Sequence, residues 1–110
     1  MSVYRLGPFE EAVLLAILRL KDDAYGVSIV EDLEQRLRRR VTVGAAYATL
    51  DRLEQNGLVA AQMGEPTAKR GGRAKKYFRL TASGAKALEA ARRRMHHVWS
   101  GVSKPVVAPT

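Results

Sequence analysis

The chain of 110 residues contains no cysteine. Disulfide staples and thiolate metal sites are therefore excluded, and the composition is compatible with a reducing compartment. Long apolar runs are also missing. The longest, residues 12–18, has seven residues, against the roughly 20 that a helix needs to cross a bilayer. No basic stretch followed by an apolar core and a cleavage site opens the sequence, so the expectation is a cytoplasmic protein without a membrane partner. No serine has a credible histidine and acid beside it, and no phosphate-cradling glycine motif opens a helix, so neither an enzyme nor a cofactor is expected. The adjacent pair His96-His97 points its rings about 100° apart on a helix and cannot chelate one ion, so no metal site is read there.

Acidic residues are few, and they are unevenly placed. The formal net charge is +8. Residues 1–60 carry eight Lys or Arg against nine Asp or Glu, whereas residues 61–110 carry eleven against two. Charge spread only for solubility would not segregate in this way, and a polyanionic partner is the natural reading. The length suits one domain with a modest core.

The first helix is read from Pro8, whose fixed φ suits a first turn, with Glu10 and Glu11 where the helix dipole favours negative charge. Phe9, Val13, Ala16, Ile17 and Leu20 form one apolar stripe, and Leu14, Leu15 and Leu18 fall outside it. A helix apolar nearly all round, in a domain this small, implies a second packed surface, which we assign to another subunit. Asp22-Asp23 offers a cap for a second helix over residues 24–39, with Gly26, Ile29, Val30, Leu33 and Leu37 inward. Arg36, Arg38, Arg39 and Arg40 close that helix, either complementing its C-terminal dipole or contacting phosphate.

Thr42 is a good N-cap for the third helix. Val43, Ala46, Leu50 and Leu53 recur at core spacing, leaving Gly44, Ala45, Tyr47, Ala48, Asp51 and Arg52 on the open face. Asn56-Gly57 ends the helix. An apolar strand over residues 58–63 follows, then a loop with Pro66, Gly71 and Gly72, then a strand in which Phe78 and Leu80 face one side and Lys75, Tyr77 and Arg79 the other. Thr81 caps a last helix whose Leu88, Ala91, Met95, Val98 and Val102 make a short heptad-like seam.

A small-faced helix followed by a hairpin with a basic tip is the layout of a winged helix-turn-helix. The expected fold is mainly α with a small β-hairpin, plus a C-terminal dimerisation helix. The division is residues 1–84 for the DNA-binding domain, 85–103 for the dimerisation helix and 104–110 for a flexible tail. The third helix can enter the major groove of double-stranded DNA while the wing follows the phosphates. Candidate DNA-contacting residues are Thr42, Gly44, Ala45, Tyr47, Ala48 and Arg52 on the helix, and Lys69, Arg70, Arg73, Lys75 and Lys76 on the wing. Tyr47 either touches DNA or packs under the wing. Candidate dimer residues are Leu14, Leu18, Leu88, Ala91, Met95 and Val98. Trp99 either packs in that interface or stacks on a flat aromatic effector held between subunits.

These residues resemble the PadR family of bacterial transcriptional regulators. The matching pieces are Leu14-Leu-Ala-Ile-Leu18, Ala24-Tyr-Gly26, Tyr47-Ala-Thr-Leu-Asp-Arg-Leu-Glu54, Asn56-Gly-Leu58, and Lys76-Tyr-Phe-Arg-Leu-Thr81 with Gly84. They occur in the family's order and spacing, and the length with a single C-terminal helix is similar to its short branch. The resemblance implies a homodimeric repressor that binds a roughly palindromic operator and is released by a small effector. Two positions depart from the family pattern: Ala48 stands where proline is common, and Asp51 where lysine or arginine is common. An acid there repels phosphate or else accepts from a cytosine amino group, so the family's usual operator sequence does not simply carry over to this chain. The competing readings are a winged-helix protein-docking module and a non-specific nucleic-acid compactor.

Overall fold

The computed structural model describes residues 4–64 and 74–109. Helix α1 spans Pro8–Leu20, and a single 3-10 turn at Lys21–Asp23 leads to α2, Gly26–Leu37. Helix α3 is Val43–Gln55, strands β1 and β2 are Val59–Met63 and Lys76–Leu80, and α4 is Ala82–Trp99. The mainly helical fold with one antiparallel hairpin is the expected class.

The helix ends follow their capping chemistry. Ala45 N–H donates to Thr42 Oγ1 at 3.1 Å, and Gly84 N–H donates to Thr81 Oγ1 at 3.1 Å. Such caps satisfy donors that a helix leaves open and contribute about 1 kcal/mol each. Helix α2 begins two residues later than expected, and Asp22-Asp23 does not cap it. Tyr25 occupies the cap, and its N–H donates to Ser28 Oγ at 3.0 Å. Arg38, in the left-handed conformation (φ 54°), stops α2. Val41 N–H donates to Glu34 Oε2 at 3.0 Å, fixing the turn into α3.

The core is one cluster. Val13, Leu14 and Ile17 of α1 meet Ile29 and Leu33 of α2, Leu50 and Leu53 of α3, Phe78 of β2 and Ala87 of α4. Several expected faces are corrected by it. Leu14 has no exposed surface, so it belongs to the chain's own core and not to a subunit seam. Ala91 is likewise buried within the chain. Val43 is 54% exposed and Leu37 lies at the surface, because each sits at a helix end beyond the reach of the neighbouring helices.

The hairpin pairs Val59 with Leu80, Ala61 with Phe78 and Met63 with Lys76. It is not an isolated ribbon. Tyr25 bridges antiparallel to Tyr77, and Phe78 N–H donates to Ala24 O at 2.8 Å. The extended Ala24-Tyr25 segment thus acts as a minimal third strand. At the other end, Thr81 N–H donates to Leu58 O and Thr81 Oγ1 to Gly57 O, which sets the direction of α4.

Helix α4 runs unbroken across the boundary expected between residues 84 and 85, and its first turns pack on the core. Its far half leaves the body, with Met95 and Val98 51% and 71% exposed. The radius of gyration is 16.8 Å, above the roughly 13 Å of a compact chain of this size; the projecting half of α4 and the exposed segment after it both extend the molecule.

Gly84 is a joint closed by backbone. A Cβ there would drive into the backbone carbonyl of Leu58, which no rotamer change relieves. Gly84→Ala is expected to lower stability by about 1–3 kcal/mol, the usual scale for overpacking. Thermal unfolding followed by circular dichroism checks this, and an unchanged midpoint would refute the joint's tightness.

Candidate nucleic-acid interface

The third helix turns one smooth face to solvent. Gly44, Ala45 and Ala48 are all exposed there, and no atom would lie within 4 Å of a Cβ added to Gly44. Thr42 opens the same end of the helix as its cap. Small side chains let the helix axis come close to another surface, so this face is shaped for close approach.

Tyr47 is 41% exposed and packs within the chain against Gly26 of α2. Its phenol lies where a Cβ on Gly26 would be, so glycine is what allows α2 and α3 to share that space. The Ala24-Tyr-Gly26 segment therefore has three jobs: Ala24 O takes the hairpin's N–H, Tyr25 caps α2, and Gly26 seats Tyr47. The Tyr25 and Tyr77 rings meet edge to face, with centroids 5.6 Å apart, and Lys75 Nζ stands 4.2 Å above the Tyr25 ring. Such a stacked cation is held in place without losing its charge.

Arg52 and Lys76 are partly spent inside the chain. Lys76 Nζ donates to Glu54 Oε1 at 3.1 Å, an exposed pair of small energetic value. Arg52 Nε donates to Glu10 Oε2 at 3.1 Å, tying α3 to α1. Lys69, Arg70 and Arg73 lie outside the described residues. Among the described residues, no group of three His, Asp or Glu side chains is placed to hold a metal ion, and no helix is long and apolar enough to cross a membrane.

The helix dipole accounts for only part of the placement of Glu10. Its buried carboxylate accepts from Gly7 N–H at 2.8 Å, from Tyr4 OH at 2.7 Å and from Arg52. Burial alone pushes the Glu10 carboxyl up, and these three hydrogen bonds outweigh it, holding the group below the usual carboxylate range. The bond between them raises the Tyr4 hydroxyl. The Gly7-x-x-Glu10 spacing of a helix N-terminus is the signal that sequence offers; the long-range partner Arg52, 42 residues on, has none.

A second surface lies between α1 and the start of α4. Leu15, Leu18, Leu80 and Leu88 line an open groove of about 670 Å3, edged by Glu11, Glu89 and Arg92. Leu18 is 49% exposed, and Leu88 is half-buried at the groove wall. Met95, Val98 and Trp99 continue the apolar surface along the projecting half of α4. Trp99 does not line this groove.

A family profile described as the transcriptional regulator PadR-like family matches residues 14–90. Among solved structures, a Streptococcus transcriptional regulator is 26% identical with a TM-score of 0.69, over 86% of this chain and 87% of its own. A PadR family transcription regulator from hypervirulent Clostridium difficile is also 26% identical, with a TM-score of 0.63 over 82% and 90% of the two chains. A PadR family transcriptional regulator from Eggerthella lenta is 28% identical, with a TM-score of 0.63 over 82% and 76%. No protein of curated function matches the sequence.

The depressed Glu10 value has a signed consequence. Its stabilisation is complete above the unfolded glutamate value of about 4.3 and is lost as pH falls through the lower folded one. Glu10→Gln should therefore lower stability at pH 7 and flatten the acid limb of the stability curve below about pH 5. Urea unfolding at a series of pH values measures both. Parallel curves for the two proteins would show that the carboxylate is not held as described.

Proposed function

The chain belongs to the PadR-like family of transcriptional regulators, and from that premise we propose that it is a homodimeric repressor whose α3 reads a pseudo-palindromic operator. DNA binding is the family's way of regulating; the dimer, the repression and the operator are our reading. The observation that carries it is the exposed, small-residue face of α3 at Gly44, Ala45 and Ala48, which no other part of the described chain covers. In the major groove such a face brings backbone and Thr42 close to base edges. Tyr47, buttressed on Gly26, and the remaining Nη1 of Arg52, whose Nε and Nη2 bond Glu10 and Thr49, reach the flanking strand. Lys69, Arg70, Arg73, Lys75 and Lys76 supply phosphate contacts along the wing, with Lys75 preset above Tyr25.

Gly44→Glu and Ala48→Glu place bulk and charge against the groove floor while burying nothing. Both should abolish binding to a duplex carrying the chain's own promoter region and leave thermal stability nearly unchanged. Fluorescence anisotropy is the readout. Undiminished affinity in both variants would mean that another surface, or another partner altogether, is used, as in a docking module.

The dimer in this reading is built from Leu18 and Leu88 at the groove and Met95 and Val98 on the projecting half of α4. Leu14 and Ala91 drop out because the chain's own core consumes them. A two-fold pair would set its recognition helices about 34–36 Å apart, one turn of DNA. Truncation at Leu88 would strip Ala91 from the monomer's core, so surface variants are the cleaner probe. Leu18→Glu and Val98→Glu should each give folded monomer in sedimentation velocity at micromolar concentration and weaken operator binding. Dimers of unchanged affinity would refute the seam. A flat aromatic effector belongs to the same reading. Trp99 is half-exposed at the end of α4, so enclosing a ligand there needs the second subunit, and quenching of Trp99 in step with operator release is its signature.

A further inference from the structure

Four arginines crowd the five residues that end α2 and lead toward α3: Arg36, Arg38, Arg39 and Arg40. Two physical roles are open to such a cluster, and the structure separates them. Arginines that serve a helix C-terminus bond its last carbonyls. Among the described residues, no hydrogen bond runs from these guanidinium groups to a carbonyl of α2; the one they make is Arg39 Nη1 to Arg40 O, at 3.3 Å. Among the same residues none of the four is in an ion pair, whereas Arg19, Arg52, Lys76, Arg79 and Arg92 all are. The nearest acid in sequence, Glu34, is occupied by Val41 N–H. All four arginines are exposed. Within the described fold the cluster is unneutralised charge.

Its position is specific. Arg39 and Arg40 line a shallow cleft of about 220 Å3 with Phe9, Val41, Thr42 and Ala45. Thr42 and Ala45 belong to the N-terminal end of the smooth face of α3, so the two cations border the surface that enters the groove. Arg39 is also preset: its guanidinium carbon lies 5.8 Å from the Phe9 ring centroid. A side chain already placed loses less freedom on binding. The wing root meets the opposite end of α3, through Lys76 and Glu54. The helix is about 18 Å long between those ends, and the major groove it would enter is about 12 Å wide, walled by phosphates on both sides.

We propose that Arg39 and Arg40 form a second phosphate clamp, gripping the DNA backbone beside the N-terminal end of α3 while the wing grips it elsewhere. This rests on the DNA-reading role of α3 argued above. The clamp contributes affinity and register without base preference, because it faces phosphates.

The test compares the full chain with Arg39→Gln/Arg40→Gln and with the charge-keeping Arg39→Lys/Arg40→Lys. Each is titrated by anisotropy against its own promoter duplex and a random duplex across a salt series. Both residues are exposed, and circular dichroism verifies that the variants fold. The glutamine variant should lose affinity for the two duplexes in the same proportion, about tenfold or more at low salt. It should flatten the log–log salt slope by about 0.9 for each phosphate no longer neutralised. The lysine variant should keep most of the slope. Wild-type affinity and slope in the glutamine variant, with Gly44→Glu still blocking the promoter duplex, overturn the clamp and leave the reading of α3 standing. Loss of promoter preference with unchanged random binding also overturns it, since that is the mark of base contact. A wild-type chain that binds neither duplex removes both proposals together.

Discussion

Phe78 is the residue through which the hairpin belongs to the rest of the molecule. A two-stranded ribbon is marginal in water by itself. Here the second strand, packed against α1 and α4, inserts a fully covered phenyl ring into the core cluster, and its own N–H closes onto Ala24 O. Burying such a ring is worth about 1.5–3 kcal/mol, enough to hold a short ribbon to a helical body. The consequences run outward from that anchor. Lys75 finds Tyr25 because strand β2 is in register there, and Thr81 leaves the strand at Leu58, aiming α4. Without the anchor the wing would be held to α3 only through β1 and the exposed Lys76–Glu54 pair.

Helix α1 is the second integrating element, and it works on three sides. Val13, Leu14 and Ile17 fill the core. Arg19 pairs with Asp32 of α2, and Glu10 with Arg52 of α3, so both other helices of the body are tied to it by charge as well as by packing. Its remaining side, Leu15 and Leu18, walls the groove against α4. The apolar groove and the smooth exposed face of α3 thus share one rigid neighbour.

Much of this is legible from residue type and spacing. Thr42 and Thr81 announce helix starts because their hydroxyls accept the local N–H groups, and Asn56-Gly57 announces an end. The alternation of Phe78 and Leu80 with Tyr77 and Arg79 marks the inner face of the hairpin. What escapes is of a different kind. Periodicity finds a stripe but not the breadth of what covers it: α1 is flanked by α2, α3, α4 and the hairpin, so Leu14 is enclosed although it lies off the assumed stripe. Val43 departs in the opposite sense, because a helix's first turn overhangs its neighbours. Glu10 with Arg52, and Tyr47 with Gly26, are partners distant in sequence, and no local pattern names such a partner.

The projecting half of α4 has a mechanical meaning. The helix is about 27 Å long at the usual rise, and only its near end is bedded, around Gly84, Ala87 and Ala91. A rigid rod pivoted at one end multiplies displacement. A tilt of about 5° at the Gly84 joint would carry the far end through roughly 2 Å, larger than the tolerance of a well-made hydrogen bond. The absence of a side chain on Gly84, where the rod bears directly on the carbonyl of Leu58, makes that pivot a hard one. Fractional changes in packing beside it become whole ångströms at Trp99.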